Sequence, residues 1–280
     1  MGIIDGKMVA SQIKENITTE VQSLKKKTGK SPGLAVVLVG DDPASAVYVR
    51  NKNKTCNNIG FQSFENILPA NTSESELLNL IHKLNNDEKV NGILVQLPLP
   101  NHIASKKILE AINPQKDVDG FHLENVGRLV TGHSLFKPCT PAGIIKLLDK
   151  YDVEIEGKNA VIIGRSNIVG KPVAFLLLER NATVTICHSR TKNLSNLARS
   201  ADILIAAIGK PNFVTADMVK DNSVVIDVGI NRLAGKLVGD VDFSAVLKKA
   251  SLITPVPGGV GPMTIAMLME NTFRAFKNSL

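Results

Sequence analysis

Tyr48, Lys52 and Cys56 recur at four-residue intervals in a stretch patterned as a helix, so they share one helical face. An aromatic ring and an amine on one face can hold and protonate a flat substrate. A surface lysine beside a half-buried tyrosine is the commoner use of the same pair. Lys54, two positions from Lys52, points elsewhere. Gln96 follows the apolar run 92–95, which reads as a parallel strand, and ligands collect at the carboxyl ends of such strands. Asp117 and Asp119 lie in the loop Lys116-Asp117-Val118-Asp119-Gly120. Either can cap a helix or turn the chain, since Asp before Gly is a turn signal.

A second set begins where the β-prone run 160–163 enters Gly164-Arg165-Ser166-Asn167-Ile168-Val169-Gly170-Lys171-Pro172. Strand, glycine turn and helix start place backbone amides and a positive dipole end toward an anion. The spacing is not Gly-x-Gly-x-x-Gly, and a tight structural turn stays open as the alternative. About twenty residues on, an NAD site carries an acidic residue for the ribose hydroxyl. This chain has Cys187-His188-Ser189-Arg190 there, with Lys192 beyond. Cations and donors without a carboxylate favour NADP, and Arg165 adds a planar fork of donors. His188 is a possible base, but a polar residue ending a strand is its commoner role.

The remaining composition excludes more than it proposes. With 280 residues, 44% of them apolar, the chain can bury substantial cores. The formal charge of +7 is scattered, and its densest run, Lys25-Lys26-Lys27, suits a solvated helix end. With two tyrosines and no tryptophan, stacking on nucleic-acid bases is poorly supported. Cys56, Cys139 and Cys187 are far apart and the five histidines form no ligand pattern. No disulfide framework and no metal site are expected, and a reducing, cytoplasmic location fits. The N-terminal residues lack signal-peptide character, and the longest apolar runs are strand-sized.

These groups need elements to hold them. Val9, Ile13, Ile17, Val21 and Leu24 trace one helical face ending near Gly29. The runs 34–39, 61–68 and 92–95 read as strands. Asp41-Asp42-Pro43 starts a helix to about Asn58, stopped by Gly60, and another helix covers 73–84. Lys137-Pro138-Cys139-Thr140-Pro141 breaks the alternation, and a helix follows at 142–151. Strands at 160–163, 183–187, 203–206, 224–228 and 252–254, with helices between most of them, outline a doubly wound parallel sheet. A last apolar helix covers 263–276. On the residues alone, two other readings stay open. One is a different two-domain α/β dehydrogenase, for a hydroxy acid or a shikimate-like substrate. The other is a non-catalytic NADP-sensing or nucleic-acid-binding protein.

Taken in order, several motifs resemble those of the bifunctional methylenetetrahydrofolate dehydrogenase/methenyltetrahydrofolate cyclohydrolase family, over nearly the whole chain. The carriers are Asp41-Asp42-Pro43-Ala44-Ser45 with Tyr48-Val49-Arg50-Asn51-Lys52, then Val95-Gln96-Leu97-Pro98-Leu99-Pro100, Lys116-Asp117-Val118-Asp119-Gly120 and Lys137-Pro138-Cys139-Thr140-Pro141. The turn 164–172 follows, and then Thr254-Pro255-Val256 leading into Pro257-Gly258-Gly259-Val260-Gly261-Pro262-Met263-Thr264-Ile265. The resemblance implies two α/β domains with a cleft between them, the second a Rossmann-like doubly wound parallel sheet. Residues 1–139 would bind folate, with helix 260–280 packing back on them, and residues 140–259 would bind NADP. It implies that Lys52 is the catalytic lysine, that Tyr48 packs on the folate and that Gln96 bonds and tunes the lysine. Asp119 would read the pterin ring. Val95, Leu97 and the segment from Pro257 to Ile265 would line the folate. Gly164, Arg165, Ser166, Ser189 and Ile230 would contact NADP. The implied activities are oxidation of 5,10-methylenetetrahydrofolate with NADP and hydrolysis of the methenyl product, by a homodimer acting on glutamylated folates.

Overall fold

The structure is a computed structural model that describes residues 2–280; Met1, where the N-terminal reading begins, lies outside the described residues. Strand β1 (Gly2–Ile3) leads into α1 (Gly6–Thr28), whose first turn is capped by the Asp5 carboxylate accepting from Met8 N at 3.0 Å. Strand β2 (Gly33–Val39) is buried throughout. Helix α2 (Pro43–Asn58) starts as its sequence demands, with Asp42 accepting from Ser45 N at 2.7 Å and Pro43 in the first turn. It ends at Ile59, before Gly60 at φ +84°. Strand β3 (Gln62–Leu68) precedes α3 (Glu74–Asn86), which opens on a reciprocal Ser73–Glu76 capping box. After β4 (Gly92–Val95) come two short helices, α4 (Ser105–Ala111) and α5 (Leu123–Val130), then α6 (Cys139–Lys150). The rest alternates: β5 (Asn159–Ile163), α7 (Gly170–Glu179), β6 (Thr183–Cys187), α8 (Leu194–Arg199), β7 (Ile203–Ala206) and β8 (Val224–Asp227). A hairpin, β9 (Asn231–Leu233) and β10 (Lys236–Val238), follows, then α9 (Phe243–Val246), β11 (Leu252–Ile253) and α10 (Val260–Asn278). Among the described residues, no helix is long and apolar enough to cross a membrane.

The chain forms two compact units. One comprises Gln12–Cys139 and Leu268–Leu280. Its sheet has the order β3-β2-β4, all parallel. The uninterrupted apolar runs of β2 and β4 belong to strands covered on both faces, and Val37, Val95, Leu77 and Ile81 share one core. Ile93 of β4 bridges Asp117, and Ile93 N donates to Lys116 O at 2.7 Å. The strand thus continues sideways into the Asp117–Asp119 loop.

The other unit comprises the stretch up to Ser11 and Thr140–Met267. Its six strands run in the order β1-β11-β8-β7-β5-β6, every pair parallel. This is the doubly wound sheet the alternation predicts, with β1 added at one edge. From β5 the chain crosses to β6 on one side and then to β7 on the other. The carboxyl ends of β5 and β7 therefore form the switch point at which open α/β sheets bind ligands.

Gly92 links strand packing to the site. A Cβ there would lie 2.7 Å from Val118 Cγ1 and 3.2 Å from Thr272 Oγ1. Gly92→Ala should overpack this joint and destabilise the protein by about 1–3 kcal/mol in urea unfolding; a change below a few tenths would show that Val118 moves aside freely.

Candidate functional site

Lys52 lies on α2 one turn after Tyr48, and its side chain is driven inward: only 8% of the residue is exposed. Its Nζ donates to Gln96 Oε1 at 2.9 Å. Gln96 sits one residue past β4, where its backbone N donates to Val37 O at 2.8 Å and extends the sheet. Its amide Nε2 donates to Leu97 O at 2.8 Å, which turns Oε1 toward the lysine. Burial lowers the Lys52 pKa, against the opposing pull of the Asp119 carboxylate. Tyr48 is exposed at the mouth of the same helical face, while Cys56 is buried behind it, its thiol pushed up to about 12 by burial. The i, i+4, i+8 face therefore grades from an open aromatic, through a buried amine, to an inert thiol.

The two aspartates of the 116–120 loop do different things. Asp117 is buried, and its carboxylate accepts from Phe121 N at 3.3 Å, His122 N at 2.8 Å and Asn125 Nδ2 at 2.8 Å. It holds the loop and the start of α5. Asp119 is half-buried, with the Lys52 ammonium and the Cys139 thiol acting on its carboxylate. Burial raises the Asp119 pKa, with Lys52 pulling it down. Between them, Val118 O accepts from Asn271 Nδ2 at 2.8 Å and from Cys139 Sγ at 3.4 Å. Gly120, at φ +75°, lets the loop lie against Pro138, whose N would be 2.9 Å from any added Cβ. Of the residues singled out in the sequence, Lys52, Gln96 and Asp119 lie together, with Tyr48 one helical turn from Lys52. Asn125 and Asn271 escaped sequence reasoning, and Cys139 was only a motif member. Asn271 lies 153 positions from the carbonyl it holds, and no local pattern signals such a partner.

In the other unit, Gly164 ends β5 at φ +128°, and a Cβ there would strike the Ala207 carbonyl at the end of β7. Gly170 is packed on the Gly164 carbonyl with Arg165 Cα 3.0 Å from where its Cβ would be. Only glycine fits at either place, so the turn can lie flat over the switch point. Ser166 Oγ accepts from Val169 N at 3.1 Å and Gly170 N at 3.2 Å, just ahead of α7. Arg165, Ser166, Ser189, Arg190 and Ile230 are exposed. His188 is a turn residue: its N donates to Thr191 Oγ1 at 2.8 Å, and its Nδ1 accepts from Arg190 N at 3.2 Å. A glycine turn, a helix start and a donor set of Arg and Ser without carboxylates fit a phosphorylated dinucleotide. The segment 257–265 folds onto the first turn of α1. Lys7 N donates to Gly258 O at 3.0 Å, and neither Gly6 nor Gly259 has room for a side chain.

Two domain models match the chain. Residues 4–119 match the tetrahydrofolate dehydrogenase/cyclohydrolase catalytic domain, and residues 138–280 match the NAD(P)-binding domain of the same family. The bifunctional protein FolD of Campylobacter hominis is 60% identical over 100% of this chain and 99% of that relative. A crystal structure of the bifunctional FolD methylenetetrahydrofolate dehydrogenase/cyclohydrolase from Campylobacter jejuni superposes with a TM-score of 0.98 at 55% identity, covering 100% of both chains. The Trypanosoma brucei methylenetetrahydrofolate dehydrogenase-cyclohydrolase, complexed with NADP cofactor and inhibitor, is similar at a TM-score of 0.96 and 41% identity, over 99% of this chain and 97% of that one.

The different burdens of the two aspartates are separable by stability. Asp117→Ala strands three donors, two of them backbone amides, and should cost about 3 kcal/mol or more at neutral pH. Asp119→Asn removes a charge that burial disfavours and should change stability by less than about 1 kcal/mol. Equal losses in urea unfolding would show that Asp119 also carries the loop.

Proposed function

The chain belongs to the tetrahydrofolate dehydrogenase/cyclohydrolase family, and from that membership we propose that it oxidises 5,10-methylenetetrahydrofolate to the 5,10-methenyl cation with NADP and hydrolyses the cation to 10-formyltetrahydrofolate. The observation that carries the reading is the buried Lys52 amine fixed on Gln96 with Asp119 at hand. Bound NADP supplies the hydride acceptor for the first step. The residues of this chain do the rest. Tyr48 stacks against the flat folate ring. Asp119 accepts hydrogen bonds from pterin nitrogens, a use that suits a carboxylate with few backbone donors of its own. Lys52 lies near the reacting carbon and, once neutral, takes the proton that water loses as its oxygen bonds to the methenyl carbon. Opening of the ring then breaks the bond from that carbon to N5, which takes up a proton, while the new hydroxyl loses its own to solvent and becomes the formyl oxygen. A lowered lysine pKa makes this base available nearer neutrality, and Gln96 aims it without neutralising it.

Val95, Leu97 and the segment 257–265 are the further residues that family likeness assigns to folate. Gly164, Arg165, Ser166, Ser189 and Ile230 are those assigned to NADP. Lys52, Gln96 and Asp119 lie in one unit and the glycine turn at Gly164 in the other. A homodimer, a cytoplasmic setting and a polyglutamylated substrate complete the proposal. The buried free thiols and the net charge of +7 support the last two.

Lys52→Met should cut methenyl hydrolysis about a hundred- to ten-thousandfold, the usual contribution of general acid–base catalysis, in a folded protein. In the wild type, hydrolysis should rise with pH through an inflection below the ordinary lysine range. Gln96→Glu, which sets a second carboxylate on the ammonium, should move that inflection upward. Unchanged hydrolysis in folded Lys52→Met protein would remove the lysine from the mechanism. Arg165→Ala should weaken NADP about ten- to a hundredfold, the loss expected for one charge-assisted bond, with little change for NAD; equal losses for both would assign Arg165 to the loop's shape alone.

A further inference from the structure

Asp227 and Asp240 are buried, and neither belongs to the set assigned to substrate or cofactor. Both turn their carboxylates inward at the carboxyl-end rim of the six-stranded sheet. Asp240 Oδ2 accepts from Ile208 N at 2.7 Å and Gly209 N at 3.0 Å; its Oδ1 accepts from Lys210 N at 2.8 Å and Asn231 Nδ2 at 2.9 Å. Asp227 accepts from Gly229 N at 3.0 Å, Asp240 N at 2.8 Å and Val241 N at 3.0 Å. Its own N donates to Thr254 Oγ1 at 2.7 Å. Gly229 and Gly239 have no room for a Cβ because these two carboxylates fill it. The loop after β7, the loop after β8 and the β9–β10 hairpin are thus gathered on two side chains.

The gathered loops bear on the glycine turn. Ala207, just before Ile208, donates from its N to Ile163 O at 2.8 Å, and its carbonyl is the group that a Cβ on Gly164 would strike. Ile230 follows Gly229 directly. Fixing residues 208–210 therefore fixes the floor under Gly164, and fixing Gly229 fixes Ile230.

We propose that Asp240, with Asp227 behind it, is a positioning residue that sets NADP affinity by holding the floor and rim of the dinucleotide turn without touching the ligand. This inference rests on the reading of that turn as the NADP site. In Asp240→Asn, one oxygen acceptor becomes an NH2 group aimed at amide donors, so one or both oxygens lose their bonds while the side-chain volume stays.

The test measures three properties of the full-length protein: NADP dissociation by titration in the absence of folate, methenyl-tetrahydrofolate hydrolysis, and thermal midpoint without ligand. Asp240→Asn should raise the NADP dissociation constant about tenfold, the scale of one charge-assisted bond. It should raise the KM for NADP in parallel while kcat at saturating NADP stays near wild type. Hydrolysis, which needs no dinucleotide, should stay within about twofold. Unchanged NADP affinity, or a matched fall of hydrolysis and of kcat, would overturn the positioning role. If Asp240→Asn does not fold, Asn231→Ala removes a single donor from a partly exposed residue and should still weaken NADP severalfold with hydrolysis intact; normal affinity in that folded variant would equally overturn it. Arg165→Ala separates the two levels. If it leaves NADP affinity intact, the placement of the NADP site fails. If it weakens NADP while Asp240→Asn does not, only the positioning role fails.

Discussion

An ammonium group kept out of water, with one neutral oxygen to bond, is the constraint around which the Lys52 unit is built. Taking a charge from water costs several kcal/mol even after relaxation, and Lys52 recovers only part of that from Gln96 and Asp119. A carboxylate in the place of Gln96 would satisfy the ammonium fully and pin its proton. The neutral amide aims the amine and leaves its pKa lowered. That arrangement works only if Gln96 cannot rotate. Its backbone is tied to β2 through Val37 O, and its NH2 end to Leu97 O. The rigid parallel sheet therefore reaches the Lys52 amine through Gln96.

The loop opposite the lysine is held with equal economy. Asp117 gathers the backbone amides of residues 121 and 122, and Asn271 and Cys139 hold the carbonyl of Val118. Asp117 and Val118, which precede Asp119, are thereby engaged. A carboxylate surrounded by fixed neighbours but short of donors is ready to accept them from a ligand. Burial raises the Asp119 pKa, and the Lys52 ammonium pulls the other way.

Much of this was legible in the residues. Asp42-Pro43 and Gly60 mark the two ends of α2, and the four-residue spacing puts Tyr48, Lys52 and Cys56 on one face. The apolar runs gave the strands, and their alternation gave the doubly wound sheet. What was not legible is long-range or short. Asn271 reaches Val118 from the last helix. Helix α5 has only eight residues, and its start depends on His122 and on the inward-turned Asp117, which read equally well as a turn residue. The edge strand β1 is two residues long and pairs with β11, about 250 positions away, so no local periodicity could announce it. The motifs taken together carried the choice among dehydrogenases that no single spacing could make.

The two units solve one problem in the same way. A loop at a strand's carboxyl end must be placed accurately, yet it lacks the repeating hydrogen bonds of a helix or sheet. A buried carboxylate offers about four acceptor sites and can therefore close several backbone donors on one point. Asp117 does this for the loop of Asp119, and Asp227 and Asp240 do it for the loops beneath Gly164 and beside Ile230. The charge-assisted bonds offset part of the cost of burial, which still raises the Asp117 pKa and pushes that of Asp227 up to about 6, and they use up amides that a loop would otherwise lose to water. They also explain why acidic residues near a site for an anionic cofactor are tolerable. In each case the carboxylate faces N–H groups of the protein itself, from its own loop or a neighbouring one, so its charge is spent inside the protein, and the rim is left to Arg165, Ser189 and Arg190.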